Sequence, residues 1–117
     1  MYFHGNIEQL TLSNNNYRKV LFTGKYSQLV VMTLKPGEEI GAEIHEGHDQ
    51  FVRIEEGIAV AQLGDKVHNL HHDDAIIIPS GMLHNIINPS QHSLLKLYTI
   101  YTPPEHPIGT IQKHKPT

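Results

Sequence analysis

The sequence predicts an all-β fold, a small antiparallel β-barrel or sandwich built from about eight short strands. Short β-branched and apolar runs recur along the chain, and turn-forming residues separate them at regular spacing. No segment sustains the period of an amphipathic helix. No linker or shift in composition divides the 117 residues, so a single domain spanning 1–117 is expected.

The strands can be placed from the turns that end them. Gln28–Leu34 is β-branched and apolar, and it stops at the turn Lys35-Pro36-Gly37. Gly64-Asp65 is a two-residue connection with Gly first, which predicts a tight hairpin between its flanking strands. The strands predicted after the first are residues 40–45, 51–55, 58–63, 66–70, 75–78, 83–88 and 94–101.

Composition excludes several classes of function. The net charge of −3 and the absence of long Lys/Arg runs argue against nucleic acid or an anionic membrane surface as a partner. No apolar run reaches the length of a membrane helix, and no signal peptide is evident, so a cytoplasmic location is expected. Cysteine is absent, so a metal would have to be held by His, carboxylate or amide groups. The ten histidines are scattered, and most suit surface positions.

Polar side chains in two segments, 37–57 and 79–88, follow the spacing of barrel strands. Glu43 and His45 lie on one face of a strand because side chains alternate in direction. An apolar trio occupies the opposite face: Ile40, Ala42 and Ile44. For this strand taken alone, the alternation favours an orientation in which the apolar trio faces the core and Glu43 and His45 face the solvent.

The spacing across both segments favours the opposite orientation. The first segment contains, in order, Gly37, Glu43, His45, Gln50 and Gly57. The second set is Asp73, Pro79, Gly81, His84 and Asn88. At these spacings the two sets resemble the two sequence motifs of the cupin superfamily, whose members are small β-barrels with a metal held inside. Asp73 replaces a motif Gly, as a change in a turn. Further stretches that resemble a subgroup of small cupins are 16–24, 49–51, 97–101 and 103–107.

The resemblance implies a divalent metal site made of Glu43, His45, Gln50 and His84. The family usually supplies three His and one Glu, whereas here a carboxylate occupies the first position and an amide the third. Two nitrogens and two oxygens suit harder ions, so Fe(II) or Mn(II) is favoured, with Zn(II) or Ni(II) as alternatives. His48 is an alternative ligand to Gln50, because it lies in the same turn. Glu43 is also the candidate for a catalytic base, since the motifs contain no second carboxylate.

Other candidates have simpler explanations. Arg53 is on the opposite strand face from Gln50, which suits a solvent or dimer contact. Tyr98 and Tyr101 lie on opposite faces, so at most one points inward. His106 could fold over a barrel mouth, but a surface position is favoured.

Three functions follow from the resemblance. The first is a metalloenzyme, oxygenase-like or isomerase-like, that acts on a small polar molecule. The second is a non-catalytic module that binds a small ligand or metal, and the third is a dimeric interaction protein whose metal site has decayed. A homodimer is expected, with N-terminal strands in 1–36 exchanged between subunits, a barrel core at 37–101 and an irregular tail at 102–117.

Overall fold

The structure, a computed structural model, describes all 117 residues. It contains nine strands and one short helix. The elements are α1 (Ile7–Leu12), β1 (Arg18–Thr23), β2 (Gln28–Leu34), β3 (Asp49–Glu56), β4 (Ile58–Leu63), β5 (Lys66–His71), β6 (Ala75–Ile78), β7 (His84–Ile87), β8 (Leu95–Thr102) and β9 (Ile111–Gln112).

Two antiparallel sheets form the body of the fold. The larger sheet has six strands in the order β6-β3-β8-β2-β1-β9, and the smaller has three in the order β5-β4-β7. The predicted all-β class is confirmed, with two hydrogen-bonded sheets in place of one continuous closed barrel. The predicted hairpin is also present, because Leu63 pairs with Lys66 around Gly64-Asp65.

One apolar core lies between the two sheets. Fifteen buried side chains form a single cluster to which both sheets contribute. Val30, Met32 and Leu97 come from the larger sheet, and Ala61 and Ile86 come from the smaller one. Alternation explains the choice of residues, since every second side chain of a strand faces the opposite sheet.

The strand predicted at 40–45 is absent, and an irregular segment, 37–47, replaces it. This segment runs beside β7 but makes only two isolated bridges, Glu39 with Ile87 and Glu43 with His84. Gly41 interrupts the ladder with a φ of 111°, a backbone conformation outside the strand region. The alternation of side chains survives nonetheless, because Ile44 is 53% exposed whereas the His45 side chain is 12% exposed.

The sequence analysis predicted only strands in the N-terminal region, but the structure also has a helix there, α1. Asn6 caps helix α1 by accepting a hydrogen bond from the Gln9 amide at 3.0 Å. A helix of six residues is too short to display a periodic pattern, which is why it escaped prediction. The strands β1 and β2 pair with strands of the same chain, β2 with β8 and β1 with β9. No helix of the protein is long and apolar enough to cross a membrane.

The tail is also more ordered than predicted. Residues 111–112 form β9, which pairs with β1 at Arg18 and Lys19. Residues 105 and 106 are held against Gln28, the first residue of β2, as described below. Strand β9 was not predicted because its two residues are too few to show the alternation of a strand.

The local backbone explains which residues occupy two positions of the cupin-like motifs, 57 and 73. A Cβ atom on Gly57 would lie 2.4 Å from the carbonyl oxygen of Leu94, so only glycine fits this crossing between the sheets. Asp73 has a φ of 71°, which explains why glycine usually stands there and why Asp, which tolerates this region, can replace it.

Lys96 is a buried cation that ties helix α1 to the larger sheet. Its Nζ donates to Leu12 O at 2.6 Å, to Asn14 O at 2.8 Å and to Asn15 Oδ1 at 3.2 Å. Three oxygens therefore replace the water that the ammonium group loses on burial.

We expect Lys96→Met to lower the free energy of unfolding by about 1–3 kcal/mol, because two buried carbonyl oxygens lose their donor. The measurement is urea denaturation followed by circular dichroism. Lys66→Met, at the exposed start of β5, is the matched control and should change the stability by less than about 0.5 kcal/mol. Equal effects of the two substitutions would contradict the role assigned to Lys96.

Candidate metal centre

Reciprocal backbone hydrogen bonds join the two motif segments. The Glu43 amide donates to His84 O at 2.9 Å, and the His84 amide donates to Glu43 O at 2.9 Å. Further along, the Ile40 amide donates to Ile86 O, and the Gly81 amide donates to His45 O. The irregular segment is therefore fixed in register against β7, with Glu43 directly opposite His84.

Three predicted ligands meet at one point. The donor atoms of Glu43, His45 and His84 all lie within 4.8 Å of one another. His45 Nε2 is 2.6 Å from Glu43 Oε2, and the rings of His45 and His84 are 5.2 Å apart. His84 is only 5% exposed, whereas the Glu43 side chain is 34% exposed, so the cluster opens to solvent on the Glu43 side.

An oxygen atom near Nδ1, on the side of the ring away from the cluster, orients each of the two histidines. His84 Nδ1 lies 3.0 Å from Met82 O, a carbonyl that accepts and so places the ring proton on Nδ1. His45 Nδ1 lies 3.5 Å from Glu105 Oε1, within ion-pair distance. In both rings Nε2 is then the nitrogen that faces the cluster. A carbonyl or carboxylate behind the ligating histidine is the usual arrangement in metal sites.

Gln50 is buried and has one unpaired atom. The residue is 4% exposed, and its Nε2 donates to Thr99 Oγ1 at 3.0 Å. Its Oε1 has no hydrogen-bond partner, an unusual condition for a buried amide oxygen. Neutral oxygen donors of this kind are suitable ligands for a divalent ion.

The tail supplies a carboxylate that the sequence analysis missed. Gln28, fully buried at the start of β2, accepts from the Glu105 amide at 3.2 Å and from the His106 amide at 2.9 Å. Gln28 Nε2 also donates to His106 O at 2.7 Å. This clamp places Glu105 beside His45, and the only sequence signal for it was the resembling run 103–107.

His48 does not join the cluster. Its Nε2 lies 3.1 Å from Pro104 O and 3.2 Å from Glu105 Oε2, and its Nδ1 lies 3.2 Å from Glu46 O. Both ring nitrogens of His48 therefore face oxygens outside the cluster of Glu43, His45 and His84 in this structure. His48 instead packs edge-on against His45 at 6.1 Å, on the outer side of the cluster.

Arg53 lies on the outer face of the larger sheet, as predicted. Its guanidinium contacts the exposed Asp73 at 2.9 Å and the buried Glu55 carboxylate at 3.1 Å, so its charge is paired within the same chain. Burial raises the pKa of Glu55, and the adjacent Arg53 charge opposes that rise.

Of the two tyrosines on β8, Tyr101 points inward. It is 2% exposed, and its ring meets His45 edge-on at 5.9 Å and His106 edge-on at 5.1 Å. Burial raises the pKa of Tyr101 strongly, so its hydroxyl keeps its proton. Tyr98 is half-buried on the other face, beside Phe51 at 6.0 Å.

The expectation that His106 lies on the surface is wrong. The residue is half-buried against Tyr101, and its Nε2 is buried without a partner. Burial, with the Arg18 charge as the next cause, lowers the pKa of His106 to about 4. The ring is therefore neutral at physiological pH.

The residues present fit a divalent ion. Two imidazole nitrogens and one carboxylate converge. Gln50, whose buried amide oxygen has no partner, pairs across the sheet with Tyr101, and the Tyr101 ring meets His45. Imidazole and carboxylate donors of this kind bind divalent transition-metal ions.

Comparison with known proteins identifies the family. Residues 30–101 match the family model of the cupin domain, so the chain belongs to the cupin family. The uncharacterized protein YrkC of Bacillus subtilis is 46% identical over 116 residues, an alignment that covers 94% of this chain and 62% of YrkC. The chain thus spans less than two thirds of the length of that relative.

Solved structures show the same fold. The crystal structure of BH2720 from Bacillus halodurans is 42% identical, covers 97% of this chain and 89% of its own, and superposes with a TM-score of 0.93. A Thermotoga maritima protein described as a predicted oxalate decarboxylase is 25% identical, with 68% of this chain and 69% of its own covered and a TM-score of 0.64.

Protonation of His106 should destabilise the fold in acid. Its pKa is about 4 when folded and 6.5 when unfolded, so the unfolded chain binds the proton more readily between these values. The contribution to stability is fully present above pH 6.5 and is lost as the pH falls toward about 4. We expect chelator-treated wild-type protein to lose more stability over this range than His106→Gln, as measured by urea denaturation.

His92→Gln is the matched control for this prediction, since His92 is exposed in the loop before β8. In His92→Gln the free energy of unfolding should depend on pH as it does in the wild type. The same pH dependence in His106→Gln and in the wild type would show that burial of His106 does not cause the loss.

Proposed function

We propose that this cupin is a metal-dependent enzyme that acts on a small polar molecule bound between its two sheets. Glu43, His45 and His84 would hold a divalent ion, Fe(II) or Mn(II) in the first place, and Gln50 Oε1 would be the fourth ligand. The observation that carries the proposal is the convergence of three donor atoms within 4.8 Å, with both histidines presenting Nε2.

The fourth ligand separates this proposal from a decayed metal site. A site that had lost its function would be expected to fill with apolar side chains or to pair its polar atoms internally. Gln50 instead remains buried, with its amide nitrogen held by Thr99 and its oxygen unpaired. Binding of an ion or a ligand would supply the partner that this buried oxygen lacks.

The chemistry would depend on residues of both motifs and of the tail. The bound ion would supply a Lewis acid or a redox centre. The Met82 carbonyl keeps the proton of His84 on the nitrogen away from the cluster. With an ion on Nε2 of His45, the Glu105 carboxylate would face the proton on Nδ1 of that ring. Glu43, the most exposed of the three ligands, is in the position to exchange a proton with solvent. Tyr101 and His106, whose rings pack edge-on at 5.1 Å, would line one side of the site beside His45.

A non-catalytic binding module remains the second candidate. A homodimer and a cytoplasmic location also stay predictions. Oxygen consumption by the Fe(II)-loaded protein, screened over small phenols, keto acids and sugars, would support an oxygenase. Sugar isomerisation without oxygen uptake would support the isomerase alternative.

Protein purified without a metal-affinity resin should contain nearly one equivalent of a divalent ion by elemental analysis. We expect His84→Ala to lose that ion, because the most deeply buried ligand is removed. His68→Ala, which changes an exposed histidine of β5, should retain it. A folded protein without metal, which also tolerates His45→Ala combined with His84→Ala, would contradict both the enzyme and the metal-binding module.

Glu105 should strengthen the site without touching the ion. We expect Glu105→Gln to weaken metal affinity about 10- to 100-fold, because the carboxylate that orients His45 is lost. Competition titration with a chromophoric chelator gives the affinity. Glu56→Gln is the matched control, on an exposed carboxylate at the end of β3, and unchanged affinity in Glu105→Gln would refute the positioning role.

A further inference from the structure

A second cavity lies between the end of strand β2 and the tail of the chain, away from the metal centre. Its volume is about 220 Å³. The walls come from the end of β2 with the turn after it, from the loop before β8 and from the residues after β9. Gln28, which holds Glu105 beside the metal ligands, begins β2, whereas the cavity lies at the other end of that strand. At roughly 3.3 Å per residue the two sites are about 20 Å apart along β2.

Cationic side chains are concentrated at this cavity. Three of the nine Lys and Arg residues of the chain line it, namely Lys35, Lys113 and Lys115. None of the three takes part in an ion pair, although the chain as a whole has a net charge of −3. His114 lines the same cavity, and its Nδ1 lies 3.5 Å from Lys35 Nζ. Like charges placed together repel one another, so an anion among them would be favoured.

The one carboxylate that lines the cavity is engaged elsewhere. Glu38 Oε1 accepts a hydrogen bond from the Lys35 backbone amide at 2.7 Å, and the Glu38 amide donates to Lys35 O at 3.0 Å. The side chain of Glu38 therefore closes the turn after β2. It forms no ion pair with an ammonium group of the cavity, so the charges of the lysines stay uncompensated.

Backbone contacts fix the segments that carry these lysines. Asn88, 1% exposed, donates from Nδ2 to Lys35 O at 3.2 Å and to Ser93 O at 2.8 Å, which ties the turn to the loop before β8. On the other side, the Tyr17 amide donates to Lys113 O at 3.2 Å and so continues the pairing of β9 with β1. The basic tail is thus held at the cavity, and a ligand would have little backbone left to order on binding.

We infer that this cavity binds a phosphate group, either free or carried by a small molecule. Ammonium groups act as point charges, and several of them around one centre suit a compact dianion that accepts from many directions. A protonated Lys35 can only donate to Nδ1 of His114, so the ring proton lies on Nε2 and adds a further donor. The inference does not rest on the proposed function, because no metal ligand lines the cavity.

The cavity has room for more than the phosphate itself. Its volume of about 220 Å³ is about seven times the ~30 Å³ that one water occupies in the liquid. Leu94, which is 38% exposed, supplies an apolar wall. An organic group attached to the phosphate would cover this wall and gain from its burial. Comparison of free phosphate with a phosphate ester therefore separates the two sources of the ligand.

The test is calorimetric titration of the protein as purified, at about pH 8, where a phosphate monoester carries two charges. The probes are inorganic phosphate, phenyl phosphate and benzoate. The wild type is compared with Lys35→Gln and with Lys113→Gln combined with Lys115→Gln. Lys25→Gln combined with Lys66→Gln is the matched control, because it removes the same charge from exposed positions outside the cavity.

We expect the affinity for both phosphate probes to fall about tenfold in the Lys113/Lys115 double variant and by less in Lys35→Gln, with the control pair unchanged. Benzoate, a planar anion with one charge, should bind more weakly than phenyl phosphate. Tighter binding of phenyl phosphate than of inorganic phosphate would identify a phosphorylated molecule as the ligand, and equal or weaker binding would identify free phosphate. The absence of phosphate binding, an equal loss in the control pair, or benzoate as tight as phenyl phosphate would overturn the inference.

Phosphate bound by the metal ion would give a different pattern. We expect His84→Ala and the chelator-treated wild type to keep their affinity for phosphate, because the metal cluster lies at the other end of β2. Circular dichroism shows which samples are folded, and if His84→Ala is not, the chelator-treated wild type decides. Loss of phosphate binding on removal of the metal would assign the ligand to the metal centre and overturn the inference.

Discussion

The candidate site depends above all on two backbone hydrogen bonds between Glu43 and His84. They join a segment without regular pairing to a strand that comes about forty residues later. Once the backbones are opposite each other, the side chains of both residues project to the same side, and His45 follows two positions on. Because the pairing uses backbone atoms, the side chains remain free to bind. This is how the fold converts two distant sequence motifs into one cluster.

The interior has an apolar half and a polar half, and they follow different physical rules. In the apolar half, side chains from both sheets form one continuous core. In the polar half, some groups are fully satisfied, as in the Gln28 clamp on residues 105 and 106. Others are not, among them Gln50 Oε1 and His106 Nε2. Gln50 pairs with Tyr101 across the sheet and His106 packs against it, and the Tyr101 ring meets His45. Buried polar atoms without partners are costly, so these two point to a ligand rather than to folding.

The sequence contained most of the fold but only part of the site. Strand alternation and turn residues predicted β2 and the hairpin at Gly64-Asp65, because those signals are local. Alternation alone would have placed Glu43 and His45 in water, and only their spacing relative to His84 favoured the inward orientation that the structure has. The break at Gly41 could not be predicted, since its cause is a backbone angle that suits the path along β7.

The remaining features depend on tertiary contacts that no local pattern reveals. Helix α1 is tied to the sheet by Lys96, more than eighty residues later, which donates to the carbonyl of the last helical residue, Leu12, and to that of Asn14 just beyond the helix. Glu105 reaches His45 only because Gln28 holds the tail. Arg18 and Lys19 are adjacent in the sequence, but strand β1 buries Arg18 and places Lys19 on its opposite face.

Anomalous diffraction from crystals of the manganese- or zinc-loaded protein tests the central claim most directly. We expect one strong anomalous peak roughly 2.0–2.3 Å from the Nε2 atoms of His45 and His84 and from a carboxylate oxygen of Glu43, with Gln50 Oε1 also directed at it. A peak elsewhere, or contact through Nδ1 of either histidine, would contradict the account of how this site is built.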